Sequence, residues 1–212
     1  MRSQEIWDQV HAERGRLSDD LSALSPVEWC TPSLCPGWSV HDVLAHLLDT
    51  ALTGRVAFVW SMARALGDFD RANEHGVRRR RREDPRETLE AFREVRHLTR
   101  TPPAQAATRL VEAFVHGEDI RRPLGIPGRY PSSCVHEALA YQIRTPRSFG
   151  GGREAVDGLR LIDSESGTEW GSGDEVAGDA IDLLIAISGR PVSPGRLTGA
   201  GAARLLGGQP SG

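Results

Sequence analysis

The first 125 residues are divided by proline, glycine and helix-capping residues into four segments that each carry an apolar stripe at helical spacing. The four segments are residues 4–24, 40–66, 84–100 and 101–121. Ser39 and Asp84 stand at N-cap positions, and Pro85 follows Asp84 at the first helical position. Four consecutive helices joined by polar connections predict an antiparallel four-helix bundle.

The character of the sequence changes after residue 125. GLRLID at 158–163 alternates as a strand does, and TEWGSG at 168–173 reads as its hairpin partner. Helices are expected over 134–142 and 176–189, and residues 195–208 suggest a further strand and a short helix. The fold class predicted is therefore mainly α, with a bundle domain over 1–125 and a small α/β domain over 126–212.

Composition excludes several classes of function. The 212 residues carry a net charge of −3, which does not favour nucleic acid or an anionic membrane as partner. All 26 basic residues are arginine, so lysine chemistry is absent, and three cysteines do not make a disulfide framework. The run Arg78–Arg82 is expected to lie in a mobile polar connection over 68–83. The first residues lack an apolar signal segment, and no run approaches the roughly 20 apolar residues that span a bilayer. A cytoplasmic protein is expected.

Three side chains in the bundle region suggest a metal site. Glu112 and His116 are four residues apart, so on a helix they lie about 40° apart around the axis and one turn along it. His46, on an earlier helix, supplies a third donor. Two imidazoles and one carboxylate leave a fourth position open, as in reactive zinc sites. The alternative is a solvated pair at helical spacing and a core histidine.

The remaining candidates are weaker. Cys30 and Cys35 lack the spacing of a zinc knuckle, so buried thiols are the simpler interpretation. Trp38 precedes the helix that carries His46, and it is either a loop anchor or part of a ligand surface.

Three motifs resemble one known family. CPGWSVHDVLAHLL, VHGEDIRRPLG and DEVAGDAIDLLIAISGRP are similar to the DinB-like, mycothiol-dependent maleylpyruvate isomerase family of actinobacteria. The resemblance implies a DinB-like bundle followed by a small domain similar to sterol-carrier proteins. It implies metal ligands at His46, Glu112 and His116, and a catalytic arginine in the C-terminal domain, for which Arg190 is the candidate.

The resemblance also implies a function. A divalent metal, with zinc the first choice, would hold mycothiol as a thiolate that attacks a small electrophilic substrate. The protein would then be an isomerase or an S-transferase, acting as a monomer or homodimer. Asp119 is expected to orient His116, and Arg121 and Arg122 to bind a carboxylate, unless they only complement the helix dipole. A ligand-binding regulatory protein and a metal-dependent hydrolase remain alternatives.

Overall fold

A computed structural model describes residues 1–207 and divides the chain into two separately packed units. The first runs from Met1 to Gly128 and the second begins at Arg129, whereas the sequence places the boundary at residue 125. The first unit is helical and the second contains a three-stranded sheet. The predicted fold class, mainly α with a small α/β part, is confirmed.

The helices of the first unit have the following bounds. They are α1 (Ser3–Leu21), α2 (Pro26–Trp29), α3 (Val40–Leu52), α4 (Arg55–Arg64), α5 (Phe69–Arg80), α6 (Pro85–Glu94) and α7 (Ala107–Leu124). Helices α1, α3, α6 and α7 form the bundle, because α1 and α3 each pack against both α6 and α7. Their interlocking apolar faces include Leu17, Leu21, Val43, Leu44, Leu47, Leu89, Phe92 and Ile120. No helix of residues 1–207 is both long and apolar enough to cross a membrane.

The start of α3 follows the sequence prediction, but its length does not. The Ser39 hydroxyl accepts from the Asp42 amide, and the Asp42 carboxylate accepts from the Ser39 amide, which makes a capping box. The predicted single helix over 40–66 is wrong. The chain becomes extended at Thr53 (φ −87°, ψ 109°), and α4 restarts after Gly54. The Thr53 hydroxyl donates to the Asp49 carbonyl, a local bond that competes with helix continuation.

The segment expected to be a mobile connection is helix α5, which packs on α3. Asp68 caps its start by accepting from the Arg71 amide. A Cβ atom at Gly76 would lie 2.5 Å from Asp49 Oδ2, so the absent side chain allows this close approach. Arg79 and Arg80 then contact Asp49 Oδ1 at 2.7 and 3.0 Å, and these contacts hold part of the arginine run against α3.

Two further helix boundaries differ from expectation. Helix α6 ends at Glu94 rather than near residue 100. Beyond that end Arg14 of α1 donates to the carbonyls of Val95, Arg96 and Leu98. Helix α7 begins at Ala107 rather than at the segment 101–103. Pro102 and Pro103 each disfavour the helical conformation in the residue that precedes them. It ends at Leu124, three residues beyond the predicted end at residue 121, and Gly125 takes the left-handed conformation (φ 69°) that closes a helix.

The second unit is built on a three-stranded sheet of order β2-β1-β3. Strand β1 (Leu159–Asp163) pairs antiparallel with β2 (Glu169–Gly171) and parallel with β3 (Asp174–Gly178). The helices are α8 (Ser132–Gln142), α9 (Ala180–Ile187) and α10 (Ala202–Gly207). The predicted hairpin is confirmed. The predicted helix over 176–189 is wrong at its start, where the chain forms β3.

The segment after α9 was expected to supply a strand and a short helix. An isolated bridge pairs Thr198 with Ala177, and α10 follows it. The last residue of that segment, Gly208, lies outside the described residues.

Candidate metal centre

The loop between α2 and α3 carries side chains that contact both α3 and α7. The Pro32–Ser39 loop is closed by a β-bridge between its two end residues and by the Ser33 amide, which donates to the Trp38 carbonyl at 2.9 Å. Gly37 turns the loop with φ +77°, a conformation that favours glycine. The Leu34 amide donates to the Asp119 carbonyl of α7 at 3.1 Å. The loop is therefore fixed to the helix that carries His116.

Two of the three predicted ligands lie side by side. The ring centroids of His46 on α3 and His116 on α7 are 4.7 Å apart, and the ring planes meet at 74°. Two imidazole nitrogens that each bind one zinc ion at about 2.0 Å are roughly 3.4 Å apart in a tetrahedral site. Trp38 completes this group, with its ring 5.2 Å from that of His46. The packing of α3 on α7 thus brings two imidazoles from different helices into contact.

His116 is oriented by a carboxylate and a thiol. Its Nδ1 lies 2.9 Å from Asp119 Oδ2, which also accepts from the Cys35 thiol at 3.0 Å. Asp119 is fully buried and Cys35 is buried. Burial opposes a charge on the ring, but the hydrogen bonds to Asp119 and Cys35 outweigh it and raise the pKa of His116 to about 9. The bond at Nδ1 leaves Nε2 as the nitrogen directed to a further ligand.

Potential metal donors also form a second grouping around His116. Cys35, His116 and Asp119 each offer one donor atom, and these three atoms all lie within 4.8 Å of one another. Within residues 1–207 this is the group of three or more donors that lies so close together. His46 and Glu112 do not belong to that set. We call Cys35, Trp38, His46, His116 and Asp119 together the imidazole cluster.

Glu112, the third predicted ligand, has a partner of its own. Both of its carboxylate oxygens contact Nη1 of Arg109, at 3.1 and 3.0 Å, one turn before His116 on α7. Glu112 would have to leave Arg109 in order to bind a cation beside the two histidines. The assignment of His46, Glu112 and His116 as metal ligands stays a prediction.

The donors present fit a borderline divalent cation. Zinc binds nitrogen, sulfur and oxygen donors in proteins. This region offers two adjacent imidazoles, a buried thiol and two carboxylates that each lie about one helical turn from His116. A carboxylate bonded to the outer nitrogen of a histidine is also the usual support of a metal-binding imidazole. Asp119 occupies that supporting position on His116.

The two arginines at the end of α7 have intramolecular partners. Arg121 is buried, forms an ion pair with Glu13 and donates to Asp20 at 2.8 Å. Arg122 donates to Glu118 one turn earlier, at 2.6 Å. Their expected role in carboxylate binding stays a prediction, and for Arg121 a ligand would have to displace a buried ion pair.

Arg190, the predicted catalytic arginine, follows α9 in the second unit. Its amide donates to the Ile185 carbonyl and its Nη1 donates to the Ser188 carbonyl at 2.7 Å. These contacts fix the residue at the end of that helix. Its catalytic role stays a prediction.

Sequence reasoning missed three residues of this region. Cys35 was set aside because its spacing to Cys30 does not suit a zinc knuckle, yet it contacts the carboxylate that holds His116. Arg109 could have been found, because it stands three residues before Glu112 on the same helix. Arg14 carried no local signal, since its carbonyl partners lie more than 80 positions away.

Comparison with known proteins agrees with the predicted fold. Residues 10–101 match the mycothiol maleylpyruvate isomerase N-terminal domain family. No curated protein sequence matches the chain.

Solved structures of a mycothiol-dependent maleylpyruvate isomerase share the fold of this chain. A crystal structure of the mycothiol-dependent maleylpyruvate isomerase has a TM-score of 0.66 and 18% sequence identity, over 94% of this chain and 93% of that one. A histidine-to-alanine mutant of the isomerase has a TM-score of 0.62 and 16% identity, with the same coverage. At these identities the likeness establishes the fold.

Proposed function

We propose that the protein is a metal-dependent, mycothiol-dependent isomerase or S-transferase that acts on a small electrophilic acid. The observation that supports this most directly is the contact of His46 and His116, which come from different helices. The match of residues 10–101 to the isomerase N-terminal domain family, and the shared fold, support the same activity.

The metal would be held by His46 and His116 with Glu112 as the third ligand. A divalent cation in such a site supplies a Lewis acid that stabilises a thiol as its thiolate at neutral pH. Glu112 lies one helical turn from His116 but pairs with Arg109. To join this ligand set, its side chain would have to change rotamer and leave Arg109. Asp119 would keep the Nδ1 proton on His116 and so direct Nε2 outward.

Other residues of the imidazole cluster would shape the site. The half-buried ring of Trp38 lies against His46 and would shield that ligand from water. Cys35 donates to Asp119 and would hold the carboxylate in place. In this arrangement His116 would be a ligand and not a base, because Asp119 engages its Nδ1 and its Nε2 would hold the metal. The proton of the thiol would pass to water.

A turnover assay tests the proposal. The purified protein is incubated with maleylpyruvate, with and without mycothiol and Zn²⁺, and the product isomer and the free thiol are measured. An isomerase returns the thiol unchanged with the trans isomer, because addition to the double bond, rotation and elimination restore it. An S-transferase consumes one thiol for each product molecule. Turnover without any thiol would favour the hydrolase alternative, and no turnover under any condition would contradict the enzymatic proposal.

A further inference from the structure

The interior of the bundle contains a cavity lined by charged side chains from two helices. It is a narrow space that is partly open to solvent, and all four bundle helices contribute to its wall. Its charged residues are Glu13 and Arg14 from α1 and Arg109 and Glu112 from α7. Leu47, the neighbour of His46, and Phe92 supply apolar wall. We call this space the arginine cavity.

The charges around the arginine cavity do not cancel. Glu13 is compensated from outside the cavity, because it contacts both Arg121 and Arg16. The other three charged residues are two arginines and one glutamate, which leaves one positive charge in excess. Burial lowers the pKa of Arg14 to about 10, with the charge of Glu112 opposing that change and the charge of Arg109 reinforcing it. The three groups therefore act on one another, and Arg14 stays protonated at neutral pH.

The ion pair with Glu112 leaves hydrogen-bonding capacity unused on the guanidinium group of Arg109. Both oxygens of Glu112 contact the same nitrogen, Nη1, so this ion pair does not use two parallel hydrogen bonds. The Nε atom of Arg109 is buried and has no hydrogen-bond partner. An unpartnered buried donor is costly, and a guanidinium edge formed by Nε and Nη2 matches the two oxygens of a carboxylate. The side chain is 6% exposed and lines the cavity.

We propose that Arg109 binds a carboxylate of a small acid in the arginine cavity, with Arg14 adding its charge. The proposal rests on the proposed function in one respect: it assigns the site that recognises the acid group of the electrophilic substrate. Glu112 competes with that carboxylate for Arg109. When Glu112 serves as a ligand beside His116, the excess charge in the cavity rises from one to two, and the acid binds more tightly.

Binding of maleate to the metal-free protein tests the site without relying on turnover. Isothermal titration compares the wild type with Arg109→Gln and Glu112→Gln at neutral pH, and maleamide serves as the uncharged probe. We expect Arg109→Gln to weaken maleate binding by about tenfold or more, because it removes charge-assisted hydrogen bonds. Glu112→Gln should tighten binding several-fold, since the competing carboxylate is gone. Maleamide should not bind detectably to any of the three proteins.

A matched control separates the site from a general effect of arginine. Arg78→Gln removes an exposed arginine that also pairs with a glutamate on its own helix, Glu74, and it should leave maleate affinity unchanged. Arg109→Lys keeps the charge without the fork and should fall between the wild type and Arg109→Gln. Circular dichroism shows whether each variant is folded.

Specific outcomes overturn the proposal. No maleate binding by the wild type, equal affinity in Arg109→Gln, or weaker binding in Glu112→Gln would each contradict it. Failure of the proposed function looks different: maleate binds as expected, but no thiol-dependent turnover occurs. Conversely, turnover with unchanged KM in Arg109→Gln would retain the proposed function and reject Arg109 as the acid-binding residue.

Discussion

The surroundings of His41 and of His116 give two imidazoles of the same bundle different charge states, neutral for His41 and protonated for His116 in the metal-free protein. His41, at the start of α3, is buried, its Nε2 lies 2.9 Å from the Thr88 hydroxyl, and its pKa is lowered to about 4 by burial and by the charge of Arg81. His116 faces a carboxylate, and its pKa is raised to about 9.

Burial acts in the same direction on both rings, since it favours the neutral form. The difference comes from the partner, which is a hydroxyl beside an arginine in one place and an aspartate beside a thiol in the other. A histidine can therefore be assigned to structure or to chemistry only when its neighbours are known. His41 is a neutral structural residue, whereas His116 is held ready for a ligand by a fixed anion.

The largest expected effect comes from removing the ring of His116. In His116→Ala, we expect metal content to be lost and thiol-dependent activity to fall by more than about a hundredfold, because loss of a supporting partner alone costs up to that much. Metal analysis by mass spectrometry and the turnover assay measure this. His75→Ala, on the exposed side of α5, is the control and should retain both. Full metal content in His116→Ala would assign the ion to another site.

The pH dependence of stability should separate the two histidines in the metal-free protein. His41 has a folded pKa below its unfolded value near 6.5, so its contribution is present above pH 6.5 and is lost as pH falls toward 4. His116 has a raised pKa, so its contribution is present below pH 6.5 and is lost as pH rises through 9. Each is at most about 3 kcal/mol.

Urea unfolding at pH 4.5, 6.5 and 9 measures these contributions. His41→Gln should flatten the acid side of the stability curve and leave the alkaline side unchanged. Asp119→Asn should flatten the alkaline side. A curve whose two sides change together in either variant would contradict the separation.

Asp119→Asn should also weaken the metal site without removing a predicted ligand. We expect a 10–100-fold loss of zinc affinity, the usual result of removing the carboxylate behind a metal-binding histidine. Competition with a chromogenic chelator gives the value. Asp70→Asn on exposed α5 is the control. An unchanged affinity would mean that His116 is oriented by other contacts.

The smallest effect is expected from Cys35→Ser, because a hydroxyl can still donate to Asp119. Zinc affinity should change by less than about threefold, while Cys35→Ala, which has no donor, should lose more. The cobalt-substituted protein gives a second measurement. Thiolate-to-cobalt charge-transfer absorption in the wild type, absent from Cys35→Ser, would show that Cys35 is itself a ligand and that the second donor set holds the ion.

The sequence predicted those helix boundaries that are set by capping residues or by a glycine in the left-handed conformation. Ser39, Asp84 and Gly125 mark helix boundaries because caps and left-handed turns depend on the nearest few residues. Helix α5 was missed because only Ala72, Gly76 and Val77 of its residues are buried, so it carries no apolar stripe.

The second unit shows the same limit. Strand β3 was taken for the start of a helix because Val176 and Ala177 suit either structure, and the choice is made by pairing with β1.

In the candidate site too, the sequence predicted residues in local motifs but not the contacts between distant parts of the chain. His46 and His116 could be named from motifs and spacing, and the structure brings them together. The bond from Cys35 to Asp119 joins residues 84 positions apart, and no local pattern encodes it. Glu112 pairs with Arg109, three residues earlier on the same helix, and this local pair can be read from the sequence. Whether Arg109 or a cation binds the carboxylate depends on the surrounding charges.

The position of Trp38 gives the protein an intrinsic optical signal. Its indole lies 5.2 Å from the imidazole of His46, so a cation arriving at that imidazole places charge beside the fluorophore. Tryptophan emission can therefore follow zinc titration without a label, and Trp38→Phe identifies the share of the signal that comes from this ring rather than from the other four tryptophans.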